Sequence, residues 1–151
     1  MADRVYMEDA MINSVISGLD EKNVLCLNSE GKHPMTFTFA MALGAGAGEK
    51  RPLQGKNKGW LQYSAINNSD PNNRSYATSL ALNEFRKKGQ DNLVSEEEQI
   101  FGVATEFANA GFHIIQEMVP DFDEYDEDDF VYQLIAMMDD KYEEIVDSGE
   151  V

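Results

Sequence analysis

A chain of 151 residues is long enough to bury one real core and too short for two comfortable ones, and 28 acidic against 12 basic residues give it a formal net charge of −16. That charge argues against the usual electrostatic mode of nucleic-acid binding, and no apolar run approaches the roughly 20 residues needed to span a bilayer. Nothing after Met1-Ala2-Asp3-Arg4 reads as a secretory leader, because Glu8, Asp9, Asn13 and Ser14 interrupt the hydrophobic residues, so a cytoplasmic protein with no membrane partner is expected.

In chain order, the first predicted element is an amphipathic helix over residues 8–18, with Tyr6, Ala10, Met11, Val15, Ile16 and Leu19 marking an apolar face. The single cysteine, Cys26, sits in Val24-Leu25-Cys26-Leu27 and is expected to be buried there as a small hydrophobe. Pro34 suits a first helical turn, and Met35, Phe39, Met41, Ala42 and Leu43 then form a short apolar helix ending at Gly44. The glycines that follow look at first like a phosphate cradle. A Walker loop, however, needs Gly-Lys-Ser or Gly-Lys-Thr where this chain has Gly48-Glu49-Lys50-Arg51, and a dinucleotide fingerprint needs a glycine in place of Glu49 and a preceding strand. The stretch reads as a helix cap and flexible connection, and no cofactor is expected.

Lys50, Arg51, Lys56 and Lys58, with Trp60 just beyond, form a basic loop. It is either a solvated segment, one attracted to the chain's own acidic tail, or an anion or nucleic-acid contact with a stacking indole. Residues 60–66 fit a short strand or a helical turn, so a short β-hairpin near residues 53–66 is the most sheet expected. Asp70-Pro71-Asn72-Asn73 is turn chemistry leading into a helix with Tyr76, Leu80, Leu82 and Phe85 on its apolar face. Arg86, Lys87 and Lys88 complement the end of that helix and Gly89 stops it.

The strongest helix begins at Ser95, which forms a capping box with Glu98; Ile100, Val103, Ala104, Phe107, Ala110, Gly111, Ile114, Ile115 and Met118 then recur at helical spacing until Pro120. Ala108, Ala110 and Gly111 leave room for another helix to approach closely. His113 and Glu117, four residues apart, present two metal ligands on one face, but two ligands make no site, and His33 in a loop adds none.

From Glu117 onward there are fourteen acidic residues and one base, Lys141, so −13 of the −16 charge lies in the tail. "PDFDEYDEDDF" reads as a solvated acidic linker interleaved with aromatics, and "VYQLIAMMDDKYEEIV" as an amphipathic helix on which Phe130, Leu134, Met138, Tyr142 and Ile145 step along a stripe widened by Val131, Ile135 and Val146. The stripe either completes the domain's own core or docks on a partner. In the docking case Phe130, Leu134, Met138 and Tyr142 make the contacts, while Asp126, Asp128 and Asp129 attract a basic surface. The acidic runs lack the alternating donors and glycine of a calcium loop, so no metal is expected there.

"RVY", "MTFTFAMALGAGAGEKRPL", the Trp60 segment, "SLALNEF" and above all "IFGVATEFANAGFHIIQEMV" resemble the Dnd system-associated protein 4 family, also called DNA phosphorothioation-associated protein 4. The resemblance runs from about Val5 to Val119 and is most specific at Glu106-Phe107-Ala108-Asn109-Ala110-Gly111-Phe112. It implies an accessory protein encoded beside bacterial systems that mark DNA with phosphorothioate sulfur or defend against phage, with no catalytic residues known. The expected fold is mainly α, a single compact domain of about five helices. Residues 1–120 form the part resembling the family, and residues 121–151 an acidic linker and amphipathic helix packed on the same domain. The expected function is a non-enzymatic adaptor that binds a larger defence or DNA-processing protein through a basic surface on that partner. The alternative is an acidic nucleic-acid mimic, of host or phage origin, that inhibits a DNA-binding enzyme.

Overall fold

The structure, a computed structural model, describes residues 3–28, 33–90, 92–93 and 96–148. Strand β1 (Arg4–Glu8) opens the fold, its alternation turning Val5 and Met7 inward and Tyr6 out. Tyr6 therefore belongs to a strand and not to the following helix, as its spacing had implied. That helix is continuous through α1 (Asp9–Met11), a π-helical stretch (Ile12–Ile16) and α2 (Ser17–Glu21), and it buries Met11, Val15, Ile16 and Leu19 as expected. Beyond it, Asn23, Leu25 and Cys26 adopt left-handed φ values of 48°, 51° and 55° around a short 3-10 turn (Val24–Cys26). These kinks keep the apolar run from presenting one continuous face: Val24 is buried, and Cys26, expected inside, is exposed.

Helix α3 (Pro34–Ala47) starts at its proline but does not stop at Gly44; it continues through Gly46 to Gly48, which closes it at φ 70°. The expected flexible glycine loop is thus helix, for a packing reason. Gly44 lies where a Cβ would collide with the Phe107 carbonyl on α6 (Glu97–Met118), and Gly111 of α6 lies equally tight against the Ala40 carbonyl of α3. The two glycines let the central helices cross backbone to backbone. Close packing at Gly111 was the expectation; Ser95, the expected cap, lies outside the described residues.

Strand β2 (Asn57–Gln62) is the strand anticipated near residues 53–66, but it forms no local hairpin and pairs antiparallel with β1. Val5 faces Leu61 and Tyr6 faces Gly59, so the bulge leaves Trp60 as the extra residue. Helix α4 (Tyr63–Asn67) follows at once, so the ambiguous stretch is strand and then helix. In α5 (Pro71–Lys87), Asp70 accepts from the Asn72 N–H at 2.9 Å, Arg86 and Lys87 occupy the last turn, and Gly89 follows at φ 68°. A 3-10 turn (Phe122–Glu124) and α7 (Glu127–Ser148) complete a mainly helical fold. One core joins the sheet, the N-terminal helix, α3, α5 and α6, with Phe37, Phe101, Phe112 and Phe130 among its fully buried side chains. Among the described residues, no helix is long and apolar enough to cross a membrane.

Candidate protein-binding surface

Helix α7 is built from its acidic start. Asp126 accepts from the Asp129 N–H through its side chain at 3.0 Å and from the Phe130 N–H through its carbonyl at 3.0 Å, which makes it the cap. Glu127, Asp128 and Asp129 fill the first turn, where carboxylates suit the positive end of the helix dipole. Gln133 donates to Asp129 at 3.1 Å and to the Met118 carbonyl at 3.3 Å, tying α7 to the end of α6. Asp126, Asp128 and Asp129, expected to attract a partner, therefore have a local role in starting the helix.

The acidic residues of the segment before it are exposed, as its composition implied, but its aromatics pack inward. The Phe122 ring fills the space above Gly18 that a Cβ would occupy, stacks on Tyr125 at 6.1 Å between centroids, and Tyr125 meets Phe130 edge-on at 6.0 Å. Burial pushes the Tyr125 hydroxyl pKa up, with Glu127 and Asp126 adding to the shift.

The predicted stripe divides between two faces. Phe130 is 1% exposed and belongs to the core, with Leu134 and Met137 packed against it, so Phe130 is no partner contact in the folded protein. Met138 and Tyr142 are 65% and 63% exposed and lie with Tyr132, Ile135 and Val146 on a different face. The reason is angular: a strict four-residue step drifts about 40° around an α-helix each time, so the series from Phe130 to Tyr142 rotates by about 120°. Steps of three, three, four and four from Tyr132 to Val146 stay within an arc of about 120°. Ile135 and Val146 were expected only to widen the stripe; Tyr132, 74% exposed, was missed although the 3-3-4-4 spacing was readable.

Lys50, Arg51, Lys56 and Lys58 of the basic loop are all exposed, as in a solvated segment, and two of them are tied to the fold. The Lys50 ammonium donates to Glu84 at 2.7 Å, and this bond, with help from Lys87, holds the buried Glu84 carboxyl below its ordinary pKa. Arg51 is fixed through its backbone, its N–H donating to the Glu106 carbonyl at 2.9 Å and its own carbonyl accepting from Asn109 at 3.1 Å. Lys56 and Lys58 are exposed. Trp60, for which a stacking role was one of the alternatives, is re-aimed inward by the bulge and sits 5.6 Å from Phe112, 6.2 Å from Phe37 and 5.5 Å from His33, centroid to centroid.

A buried polar cluster was invisible in the sequence. Glu8, at the end of β1, accepts from the Gln54 N–H at 2.8 Å and from the Asn109 amide at 3.0 Å, and its other oxygen lies 2.9 Å from His113 Nε2. Burial alone would raise the Glu8 pKa, but the Gln54, His113 and Asn109 hydrogen bonds outweigh it and leave the carboxyl below its ordinary value. His113 thus pairs with Glu8 and not with Glu117, which is exposed. The cluster fastens β1 and the segment around Arg51 and Pro52 to α6. Among the described residues, no three His, Cys, Asp or Glu side chains converge as a metal site. Compared with protein-family models, curated proteins and solved structures, the chain has no significant match to any.

Proposed function

We propose that this protein is a non-enzymatic adaptor that binds a larger protein through the exposed face of α7, as an accessory subunit of prokaryotic DNA-modification-linked or other antiphage defence. The defence context rests on the sequence resemblance alone. The docking role rests on one observation: an apolar face from Tyr132 to Val146 is left uncovered on a helix whose opposite side is already anchored by Phe130. A nucleic-acid mimic would need carboxylates in phosphate-like rows across its exposed face. In α7 the centre of that face is aromatic and aliphatic, with Asp139 just inside its Tyr132 margin and Glu143 just beyond it by helical position, which favours a protein partner.

The test is affinity capture of the full-length tagged chain from its native host, compared with the Tyr132→Asp/Ile135→Asp double variant and read by mass spectrometry. A stoichiometric partner with a basic surface, lost in the variant while the circular dichroism spectrum is unchanged, supports the adaptor. The same proteins recovered by both forms refute it. Capture of a DNA-binding enzyme that DNA displaces competitively establishes the mimic instead.

A further inference from the structure

Between the end of α3 and the second half of α7 lies a groove of about 470 Å³, bordered on α3 by Gly46 and Ala47. On α7, Met137 and Lys141 occupy the middle of the contributing face by helical position, with Met138 and Tyr142 to one side and Asp140 and Glu144 to the other. The groove therefore has one apolar and one anionic wall. Two thioethers make its apolar part soft and adaptable, a property that suits side chains of differing shape.

The α3 wall adds negative character. The capping N–H groups of Gly48 and Glu49 bond to the carbonyls of Ala45 and Gly44, so the Gly46 and Ala47 carbonyls accept none of these capping bonds and form the negative end of the helix dipole. A Cβ on Gly46 would meet nothing within 4 Å, so a side chain from outside has room to approach that backbone. The groove is continuous with the Tyr132-to-Val146 face through Met138 and Tyr142, and that face spans about 21 Å at 1.5 Å per residue, the length of a partner helix of about four turns.

Resting on the docking reading above, we infer that this groove receives a basic amphipathic helix of the partner. Its apolar residues at i, i+3, i+4 and i+7 seat on Met138 and Tyr142, and its Lys or Arg side chains reach Asp140, Glu144 and the α3 carbonyls. Charge selects this occupant over a second copy, because each chain carries −16 and a symmetric pairing would bring two acidic helices together. Lys141, the one base of the tail, borders the groove with its ammonium 3.8 Å from Glu144, so a cationic occupant competes with it for that carboxylate.

The probe is a fluorescent Leu/Lys peptide of about 20 residues with helical amphipathic spacing, titrated by anisotropy into the full-length protein at low salt, beside a peptide of identical composition with the pattern scrambled. The amphipathic peptide should bind at least about tenfold tighter than the scrambled one, a difference of about 1.4 kcal/mol. Met138→Asp and the Asp140→Asn/Glu144→Gln pair should each weaken it several-fold, and Lys141→Gln should tighten it. Equal binding of the two peptides, or binding indifferent to Met138→Asp, reduces the effect to unspecific charge attraction and overturns the inference. A dimer seen by analytical ultracentrifugation and abolished by Met138→Asp overturns it in favour of a second copy. If the groove variants leave peptide binding unchanged while host-partner capture still fails on Tyr132→Asp/Ile135→Asp, the groove assignment fails and the adaptor reading stands.

Discussion

Four helical glycines separate packing from propensity, because two sit at the α3–α6 crossing and two face open space. Changing Gly111 to alanine would place a Cβ 2.5 Å from the Ala40 carbonyl carbon and closer still to its oxygen, and Gly44→Ala would bring one 2.9 Å from the Phe107 carbonyl carbon, again with the oxygen nearer. Both obstacles are backbone, so no rotamer change relieves them and the helices must separate. Inserting a methyl group into a filled core costs about 1–3 kcal/mol, toward the upper end where backbone must move, against about 1 kcal/mol gained in helix propensity. A net loss of about 2 kcal/mol is expected for each, which lowers the melting temperature of a domain this size by about 4–8 °C. Gly46→Ala on α3 and Gly102→Ala on α6 meet nothing within 4 Å and should gain up to about 1 kcal/mol. The double Gly44→Ala/Gly111→Ala variant should lose less than the two single losses combined, because once the first Cβ has wedged the crossing apart the second finds space. Thermal and urea unfolding followed by circular dichroism read all five variants. If Gly44→Ala or Gly111→Ala stabilises as Gly46→Ala does, the close crossing is not what these glycines serve.

The Glu8 carboxyl ionises below its reference value of 4.5 in the folded protein, so its contribution is complete above that value and is lost as the pH falls through the lower folded pKa. Glu8→Gln should therefore cost about 1–3 kcal/mol near neutrality, with the gap to the unaltered protein narrowing in acid; a gap that widens in acid refutes the assignment. Lys50→Ala should destabilise by about 1–2 kcal/mol by leaving the buried Glu84 with Lys87 alone, and titration with ATP or GTP and magnesium should show no saturable binding, since Gly44 and Gly46 are helical and Gly48 caps the helix C-terminus, so no helix N-terminus faces a phosphate there. Micromolar nucleotide binding abolished by Lys50→Ala would overturn that view. Phe130→Ala should cost about 3–5 kcal/mol in urea unfolding, whereas Tyr142→Ala should stay within about 0.5 kcal/mol; similar losses for both would mean that α7 has no free face.

The helices were legible wherever local chemistry decides them: Asp70 with Pro71, the apolar repeat of α6, and Gly89 after the basic residues of α5 all serve as their residue types require. What escaped depends on residues far apart in the chain. Gly44 looks like a stop signal until Phe107 is laid across it, and then a helical glycine becomes the only residue that fits. Trp60 next to lysines leaves an exposed stacking role open until the bulge against β1 turns it toward Phe37 and Phe112. His113 has Glu117 as its sequence neighbour and Glu8 as its real partner, and no periodicity connects positions on α6 to the last residue of a strand at the other end of the chain. The candidate surface lay between these cases. Its residues were identifiable as amphipathic, but which apolar stripe faces inward was set by where the Phe122, Tyr125 and Phe130 aromatics lock the helix rotation.

That lock also gives the charge of α7 a meaning that composition alone does not. Its first turn holds Glu127, Asp128 and Asp129, where the dipole welcomes them, but its last turn holds no base, and Lys141, 3.8 Å from Glu144, is the one cation set against Glu143, Glu144 and Asp147 near the negative end. The second half of the helix is therefore charged against its own dipole and carries its exposed apolar residues in water, two penalties that the Phe130 anchor cannot reach. One kind of neighbour removes both: a surface that is apolar along its centre and cationic at its edge. Such a neighbour lends the missing positive charge to the end of α7 and covers Met138, Tyr142 and Val146 in the same event, so helix stabilisation and partner binding become linked free energies. The anchored half of α7 belongs to the protein's own fold, and under the docking proposal the unanchored half would gain its stability from a basic partner.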